Sequence, residues 1–282
     1  MPELPEVQTT VSGLQLITTK HITSIRINTT KLRYIIPQKI IKLAKNRKIL
    51  KIYRVAKYII FELSDDMSLI FHLGMSGRIR LMPMNDYRVI KHDHILIKLN
   101  NKTILAFNDP RKFGFIDYSM TSKLKNKKYF LKLGLDPFER KLNKDYLFSR
   151  FRNSKSSIKQ LLLNQKIITG IGNIYACEIL YDAKISPFIP GNQLNAHMIE
   201  RLIKSMRKIL KKAILSGGAT LRDYVSTDGT LGSFQTKFKV YNKEGESISR
   251  FKIRRIKQYG RSTFFCPGLQ KSKYNPIFEC YF

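Results

Sequence analysis

The chain has 282 residues and a hydrophobic fraction of 43%, so it can form two domains with buried cores, and wholesale disorder is excluded. Its 52 Lys and Arg residues against 20 Asp and Glu residues give a formal net charge of +32, which predicts a polyanionic partner, most commonly nucleic acid. The charge alone leaves two alternatives open: an anionic membrane surface, and a genome bias that enriches lysine. The basic residues are spread along the whole chain, so we expect a broadly basic folded surface.

The cysteine count and the first residues of the chain indicate the cellular compartment of the protein. Three cysteines, Cys177, Cys266 and Cys280, are too few for a disulfide framework. Glu3 and Glu6 stand where the apolar stretch of a signal peptide would lie, and no run of about 18 apolar residues predicts a membrane span. We therefore expect a soluble cytoplasmic protein without a membrane partner.

The first part of the chain is predicted to be mostly β-structure. Residues 7–17 favour a short helix. Residues 48–63, 69–82 and 94–107 are rich in β-branched and aromatic residues with partial alternation, and the last of them predicts a hairpin over Asn100-Asn101. We expect two packed sheets.

The pattern changes around residues 133–137, where we predict a domain boundary. Three segments with helical periodicity follow it: 157–166, 173–182 and 195–215. The last carries an apolar stripe opposite a basic face, which is typical of a helix packed on a core. Residues 217–235 are rich in Gly, Ser and Thr and predict a loop, and the chain from Phe238 onward returns to a hairpin-like pattern.

Candidate chemistry begins at the start of the chain. Removal of Met1 would leave Pro2 as a terminal secondary amine, and an α-amino group with a pKa of about 7.7–8 is partly neutral and nucleophilic at physiological pH. Such amines form Schiff bases with electrophilic carbons, and the neighbouring Glu3 could move protons. The alternative is that Met-Pro is only a common way for a protein to begin.

Several internal residues have both a functional and an ordinary interpretation. Lys57 lies in a strand-like stretch, where it could donate protons or simply face water. Met75 stands between two glycines at a predicted loop tip, and it is either loosely packed or a wedge that enters a base stack. Arg111, Lys112 and Phe113 lie on a predicted turn, where a cation and an aromatic ring suit phosphate contact and base stacking.

Residues 170–173, Gly-Ile-Gly-Asn, lead directly into a predicted helix. Asn173 is expected to cap it, and the free N–H groups there could hold a phosphate. Plain capping without a ligand is the alternative.

These motifs, taken together, resemble the bacterial formamidopyrimidine-DNA glycosylase family. The matching segments are PELPEV at residues 2–7, AKY at 56–58, HLGMSG at 72–77, KHDH at 91–94, NDPRKFG at 108–114 and TGIGNIYACE at 169–178. The resemblance implies a multidomain α+β protein: an N-terminal catalytic β-sandwich (1–134), a helix–two-turn–helix DNA-binding domain (135–226), and a lesion loop with a C-terminal β-hairpin finger (227–282). It further implies a monomeric repair enzyme, associated with the nucleoid, that acts on damaged double-stranded DNA.

The implied activity is removal of oxidised purines, 8-oxoguanine and formamidopyrimidines, followed by abasic-site lyase cleavage. Pro2 would attack the anomeric carbon, Glu3 would handle protons at the sugar, and Lys57 would donate a proton in β-elimination. Arg261, in Gly260-Arg261-Ser262-Thr263, would serve δ-elimination and grip a phosphate.

The resemblance also implies a set of DNA contacts, which suit an enzyme that extrudes its target nucleotide. Met75, Arg111 and Phe113 would fill the gap left by that nucleotide, with Arg111 facing the orphaned cytosine and Lys112 beside it. The residues implied to contact the DNA backbone are His92, Lys155, Asn173 and Tyr241. Those implied to line the lesion pocket are Glu6, Glu178, Thr227 and Asp228.

The finger departs from the family pattern of two Cys-x-x-Cys pairs that bind one zinc ion. The matching positions are Ile248, Phe251, Cys266 and Leu269, so three of the four ligands are missing. We predict that the finger has no zinc and that its apolar replacements pack where the metal would lie. Residues 273–282 extend past the usual end of the family and have no predicted role.

Three alternative functions are weighed against this one. The sister enzyme of the same fold prefers oxidised pyrimidines, but the PELPEV opening and the Met75, Arg111 and Phe113 set favour the purine enzyme. A damaged-DNA-binding protein without catalysis would have no need of Pro2 or Lys57. A ribosomal or RNA-binding protein is the most remote alternative, since it would use neither the amine nor the wedge.

Overall fold

The computed structural model describes residues 2–219 and 232–276. Thr227, Asp228 and Cys280 lie outside the described residues. The chain divides into two compact units, which are described separately below. The first contains Met1–Leu131 and Ala213–Thr236, and the second contains Lys132–Lys212 and Lys237–Phe282.

The first unit is built on two four-stranded antiparallel sheets. One sheet has the order β1-β6-β7-β5, with strands Ile22–Ile27 (β1), Arg78–Pro83 (β5), Asp93–Leu99 (β6) and Thr103–Asn108 (β7). The other has the order β2-β3-β4-β8, with strands Ile49–Val55 (β2), Tyr58–Leu63 (β3), Met67–His72 (β4) and Phe115–Met120 (β8). Two helices accompany them, Leu4–Leu14 (α1) and Lys39–Ala44 (α2).

Alternate residues of the strands face a shared core, as the period of two in a pleated strand requires. The rings of Phe61 and Phe71 lie 5.2 Å apart within one sheet, and the Phe71 ring lies 5.8 Å from that of Phe107 in the other sheet, so an aromatic contact joins the two sheets. Val7, Val11 and Leu14 of α1 complete the same core. The predicted pair of packed sheets is confirmed, and so is the hairpin over Asn100-Asn101, which joins β6 to β7.

Two strand predictions need correction. The stretch 69–82 was expected to be strand-like with Met75 at a loop tip within it, but its two strands, β4 and β5, belong to different sheets, with residues 73–77 between them. Lys57 was expected within a strand, but it lies in the tight turn between β2 and β3, where Ala56 has a φ of +54°. Periodicity did not reveal the turn at Lys57, because apolar and aromatic residues flank it on both sides.

The second unit contains Lys144–Phe151 (α3), Ile158–Leu163 (α4) and Asn173–Asp182 (α5), together with most of Ala196–Leu215 (α6). Asn143 and Ser157 cap α3 and α4 by accepting backbone N–H bonds through their side chains. Nearly all of α5 is buried, from Ile174 to Leu180, so this helix lies at the centre of the unit. None of the described helices is long and apolar enough to cross a membrane.

Two antiparallel hairpins follow in the same unit. The first pairs Ser247–Ile248 (β9) with Phe251–Lys252 (β10), and the second pairs Arg254–Gln258 (β11) with Arg261–Phe265 (β12). Both loop residues of the second hairpin, Tyr259 and Gly260, have positive φ, at +50° and +73°, as a tight two-residue hairpin loop demands. We call this second hairpin and its loop, residues 254–265, the finger hairpin. The hairpin prediction for this part of the chain is confirmed.

Candidate active site and nucleic-acid interface

The start of the chain is fixed by one buried carboxylate, that of Glu6. Pro2 and Glu3 are buried just ahead of α1. Glu3 N donates to Glu6 Oε2 at 2.8 Å as part of a capping box, and Ala219 N donates to Glu6 Oε1 at 2.9 Å. Glu6 therefore connects the residues beside Pro2 with the segment that leads into residues 220–231. Its predicted place in a lesion pocket stays a prediction.

Lys57 is 7% exposed in its turn, and it acts electrostatically on His72 at the end of β4. Burial lowers the pKa of His72 from 6.5 to about 4, with smaller contributions from the charges of Lys57 and Arg33. Gly74 N donates to His72 Nδ1 at 3.0 Å, so the neutral ring carries its proton on Nε2. We therefore infer a neutral hydrogen-bond donor at position 72 near pH 7.

His72 was not assigned a role from the sequence, although it opens the HLGMSG motif. Its ring lies against two aromatic neighbours, 5.5 Å from Phe115 in a stacked arrangement and 5.0 Å from Tyr58. These contacts come from different strands, so only the tertiary structure shows how firmly the ring is held.

Two loops at the ends of the strands present the predicted wedge residues. The Met75 loop comprises residues 73–77, and the Phe113 turn comprises residues 110–114. Met75 is 38% exposed and Phe113 is 43% exposed, while the guanidinium carbon of Arg111 lies 4.9 Å from the Phe113 ring centroid. Lys112 is exposed beside them. The structure therefore exposes Met75 and Phe113 on the two loops and places the Arg111 guanidinium against the Phe113 ring.

The two loops are in backbone contact. Gly74 has a φ of +63°, and a Cβ atom there would lie 2.3 Å from the carbonyl carbon of Phe113. Only glycine tolerates both that conformation and that approach. The arrangement explains why glycine precedes Met75.

His92 lies in the turn before β6, partly exposed, with a φ of +75°. Its ring is 6.0 Å from that of His94, which is buried. Burial lowers the pKa of His94, partly opposed by its hydrogen bond to the Asp109 carbonyl. Asp109 N donates to the His92 carbonyl at 3.1 Å, so His92 lies next to the residue that precedes the Phe113 turn, and its contact with the DNA backbone stays a prediction.

In the second unit, the N-cap of α5 lies one residue earlier than predicted. Gly172 is the N-cap and Asn173 is the first helical residue, so the prediction that Asn173 caps the helix was wrong. Asn173 Nδ2 instead donates to the Ser262 carbonyl at 2.9 Å. Its side chain therefore supports the finger hairpin next to Arg261, which is exposed at the start of β12.

Lys159 is a second support that sequence reasoning missed. It is 2% exposed, and its Nζ donates to the Ser262 carbonyl at 3.0 Å and to Thr263 Oγ1 at 2.7 Å. The available signal was its place on the apolar face of α4, three residues before the buried Leu162. Lys155, which was predicted to contact DNA, is exposed ahead of that helix.

Glu178 is 1% exposed in α5 and accepts three backbone N–H bonds, from Lys239, Val240 and Tyr241, at 2.8–2.9 Å. Burial raises the pKa of this carboxyl, and the three hydrogen bonds oppose the rise. The carboxylate holds the segment that carries Tyr241, whose ring lies 5.0 Å from Phe264. The predicted role of Glu178 in the lesion pocket stays a prediction.

The four finger positions of the family pattern lie close in this unit. Cys266 is fully buried, and its thiol lies 3.9 Å from the Phe251 carbonyl oxygen. The Phe251 ring packs so closely on Gly268 that a Cβ atom there would lie 2.0 Å from the ring. Ile248 packs against a small core with Val240. Within residues 2–219 and 232–276, no group of three or more His, Cys, Asp or Glu side chains could hold a metal ion.

Comparison with known proteins places the chain among DNA glycosylases. The family profile "Formamidopyrimidine-DNA glycosylase N-terminal domain" matches residues 1–116, and "Formamidopyrimidine-DNA glycosylase H2TH domain" matches residues 133–225. A formamidopyrimidine-DNA glycosylase of Zymomonas mobilis is 43% identical over 273 residues, which cover 96% of this chain and all of the relative. The chain belongs to the formamidopyrimidine-DNA glycosylase family.

Solved structures of similar proteins contain DNA. A Lactococcus lactis FPG mutant in complex with Fapy-dG-containing DNA superposes with a TM-score of 0.89 at 37% identity, covering 96% of this chain and 100% of that one. The wild-type Lactococcus lactis protein in complex with DNA containing an oxidised pyrimidine has a TM-score of 0.87 at 37% identity, with the same coverage. The resemblance and the fold expected from the sequence are both confirmed.

Proposed function

We propose that this chain is a base-excision-repair enzyme that removes oxidised purines, 8-oxoguanine and formamidopyrimidines, from double-stranded DNA and then cuts the strand at the abasic site. The observation that carries this function is the match over 96% of the chain to a formamidopyrimidine-DNA glycosylase. The fixed start of the chain supports it, because Glu6 holds the backbone directly beside Pro2.

The proposed chemistry begins at Pro2. Once Met1 is removed, the secondary amine of Pro2 attacks the anomeric carbon of the damaged nucleotide and displaces the base. The amine then loses its proton and the C1′–O4′ bond of the sugar opens with protonation of O4′, which leaves a Schiff base between the protein and the sugar. Glu3 moves protons at the sugar. The capping box supports these roles because it orders Glu3 and leaves little freedom to the residue before it.

The later steps are assigned to two cations. Lys57 donates a proton during β-elimination, and its nearly complete burial supports a fixed position for that transfer. Arg261 serves δ-elimination and grips a phosphate. The bonds from Lys159 and Asn173 to the Ser262 carbonyl support this role, because they hold the backbone next to Arg261.

The proposed DNA contacts follow from exposure and charge. Met75, Arg111 and Phe113 occupy the gap left by the extruded nucleotide, with Arg111 facing the orphaned cytosine. The formal net charge of +32 supports binding to a phosphate backbone. We further propose that the protein acts as a monomer in the cytoplasm, associated with the nucleoid and not with a membrane.

We also propose that the finger works without zinc. Ile248, Phe251 and Leu269 offer no coordinating atom, and one thiolate cannot hold a structural zinc ion. A polar link replaces part of what a metal supplies: the fully buried Gln270 accepts a bond from Cys266 N and donates one to the Ile185 carbonyl, both at 2.9 Å. The residues present therefore fit a packed finger better than a metal site.

Zinc content tests this proposal. We expect the dialysed protein to contain no stoichiometric zinc and its thermal unfolding midpoint to be unchanged by a chelator, because no metal contributes to folding. The measurement is elemental analysis together with an unfolding curve. As a control for the assay, the variant Ile248→Cys/Phe251→Cys/Leu269→Cys is expected to take up one zinc ion per chain. One zinc ion per chain in the natural protein would refute the proposal.

Cleavage of defined duplexes tests the activity. We expect strand cleavage with 8-oxoguanine or formamidopyrimidine opposite cytosine to exceed cleavage of an undamaged duplex by orders of magnitude, because the enzyme must extrude and read a damaged base. The measurement is a single-turnover time course on labelled duplexes. A third duplex carries an oxidised pyrimidine. Faster cleavage of the oxidised-pyrimidine duplex would favour the sister enzyme that prefers oxidised pyrimidines. Binding of the damaged duplexes without cleavage of any lesion would favour a DNA-binding protein that has lost catalysis.

A further inference from the structure

The carboxylate of Asp109 is 0% exposed and is hydrogen-bonded to both the Met75 loop and the Phe113 turn. Its Oδ1 accepts a hydrogen bond from Ser76 Oγ in the Met75 loop at 2.5 Å. Its Oδ2 accepts one from Gly114 N at the end of the Phe113 turn at 2.7 Å. The two oxygens of a single side chain therefore bind the two loops.

Ser76 completes the connection. It is 2% exposed, and its hydroxyl both donates to Asp109 and accepts a bond from Arg111 N at 3.1 Å. The backbone of Arg111 is thus positioned by a side chain of the loop that carries Met75. A change at Ser76 reaches the Phe113 turn without any direct change to that turn.

The backbone of Asp109 brings in a third segment. Asp109 N donates to the His92 carbonyl at 3.1 Å, and His94 Nε2 donates to the Asp109 carbonyl at 3.0 Å. The same carbonyl accepts Lys112 N at 3.2 Å. Every polar group of Asp109 is therefore used to hold segments that bear proposed DNA contacts.

We infer that Asp109 and Ser76 are positioning residues that set Met75 and Arg111 as one unit. Recognition of the orphaned base by Arg111 then depends on the same bonds that place the Met75 wedge. The catalytic consequence of this inference rests on the proposed function. The coupling of the Met75 loop to the Phe113 turn is a property of the free protein and does not depend on that function. Neither residue is assigned contact with DNA.

Hydrogen exchange of the free protein tests the coupling without any substrate. Ser76→Ala removes the acceptor of Arg111 N and one donor to Asp109, but it leaves the Gly114–Asp109 bond chemically possible. We expect the amide of Gly114 to exchange about tenfold faster or more in this variant, because the carboxylate is no longer held in place. Wild-type exchange at Gly114 would overturn the coupling.

Cleavage rates test the consequence for catalysis. In Asp109→Asn, the new amide can accept only one of the two bonds, so we expect cleavage of 8-oxoguanine opposite cytosine to slow on the order of 10- to 100-fold, as for other small misplacements. The preference for cytosine over adenine opposite the lesion should shrink as well. Cleavage of single-stranded DNA with a preformed abasic site, which has no gap to fill and no opposite base, should change by less than about twofold.

The matched control is Asp117→Asn, which makes the same chemical change in β8, where the carboxylate accepts bonds from Lys127 and Tyr129. It should leave the base preference and the exchange at Gly114 unchanged. Equal loss by Asp109→Asn on duplex and single-stranded substrates would show a general structural defect and overturn the positioning role. If the wild type cleaves no damaged duplex, the proposed function fails, and the exchange result still decides the coupling.

Discussion

A variant with one residue inserted ahead of Pro2 is expected to form no covalent adduct with DNA under borohydride. The insertion converts the secondary amine of Pro2 into an amide, whose nitrogen lone pair is delocalised and cannot attack a sugar carbon. The new terminal amine would lie about 3.5 Å farther along the chain, away from the position that the Glu6 carboxylate fixes. We expect the glycosylase rate to fall on the order of a thousandfold or more.

The measurement compares adduct yield on a duplex carrying 8-oxoguanine opposite cytosine. The control inserts one residue after Leu131, which is 63% exposed, and it should trap DNA like the wild type. Binding of both variants to a duplex with an uncleavable abasic-site analogue shows whether they still recognise DNA. An adduct of normal yield from the Pro2 insertion would assign the nucleophile to another amine, and peptide mapping of the adduct would then identify it.

The sequence predicts the positions of the proposed wedge residues better than it predicts the residues that support the site. Pro2, Met75 and Phe113 lie in short motifs with local signatures, and the structure places the last two at exposed loop tips, as expected. Lys159 could not be assigned, because its partner Ser262 lies 103 positions further along the chain. A lysine on the apolar face of a helix indicates a buried hydrogen-bond donor, but the sequence does not show which distant carbonyl accepts its hydrogen bond.

The errors have a similar cause. Asn173 has the residue type of a cap, yet the backbone turns at Gly172 and the asparagine side chain is used by the finger hairpin. The local preference of asparagine for the N-cap position was overridden by its tertiary hydrogen bond to the Ser262 carbonyl. Asp109 also could not be interpreted from the sequence, because a carboxylate before a proline predicts only a turn. Its hydrogen bonds reach three segments that are brought together only in the folded chain.

Gly74→Ala is expected to destabilise the first unit and to impair cleavage of damaged duplexes. The substitution forces a Cβ atom to within 2.3 Å of the Phe113 carbonyl carbon and 2.4 Å of Gly114 N, both backbone atoms that cannot rotate away. It also places alanine at a φ of +63°, which costs about 1–2 kcal/mol by itself, and the steric displacement adds about 1–3 kcal/mol. We therefore expect the free energy of unfolding to fall by roughly 2–5 kcal/mol.

Gly217→Ala separates the conformational cost from the steric cost. Gly217 lies in the same unit with a φ of +73°, but an added Cβ atom there would meet nothing closer than 3.6 Å. This control should lose only the conformational part, about 1–2 kcal/mol, in denaturant unfolding. Since Gly74 is the residue through which the Met75 loop contacts the Phe113 turn, its replacement should also reduce the preference for cytosine opposite the lesion. Equal destabilisation by the two variants would mean that the loops yield to the added methyl group, and their backbone contact would then not be what positions Met75 and Arg111.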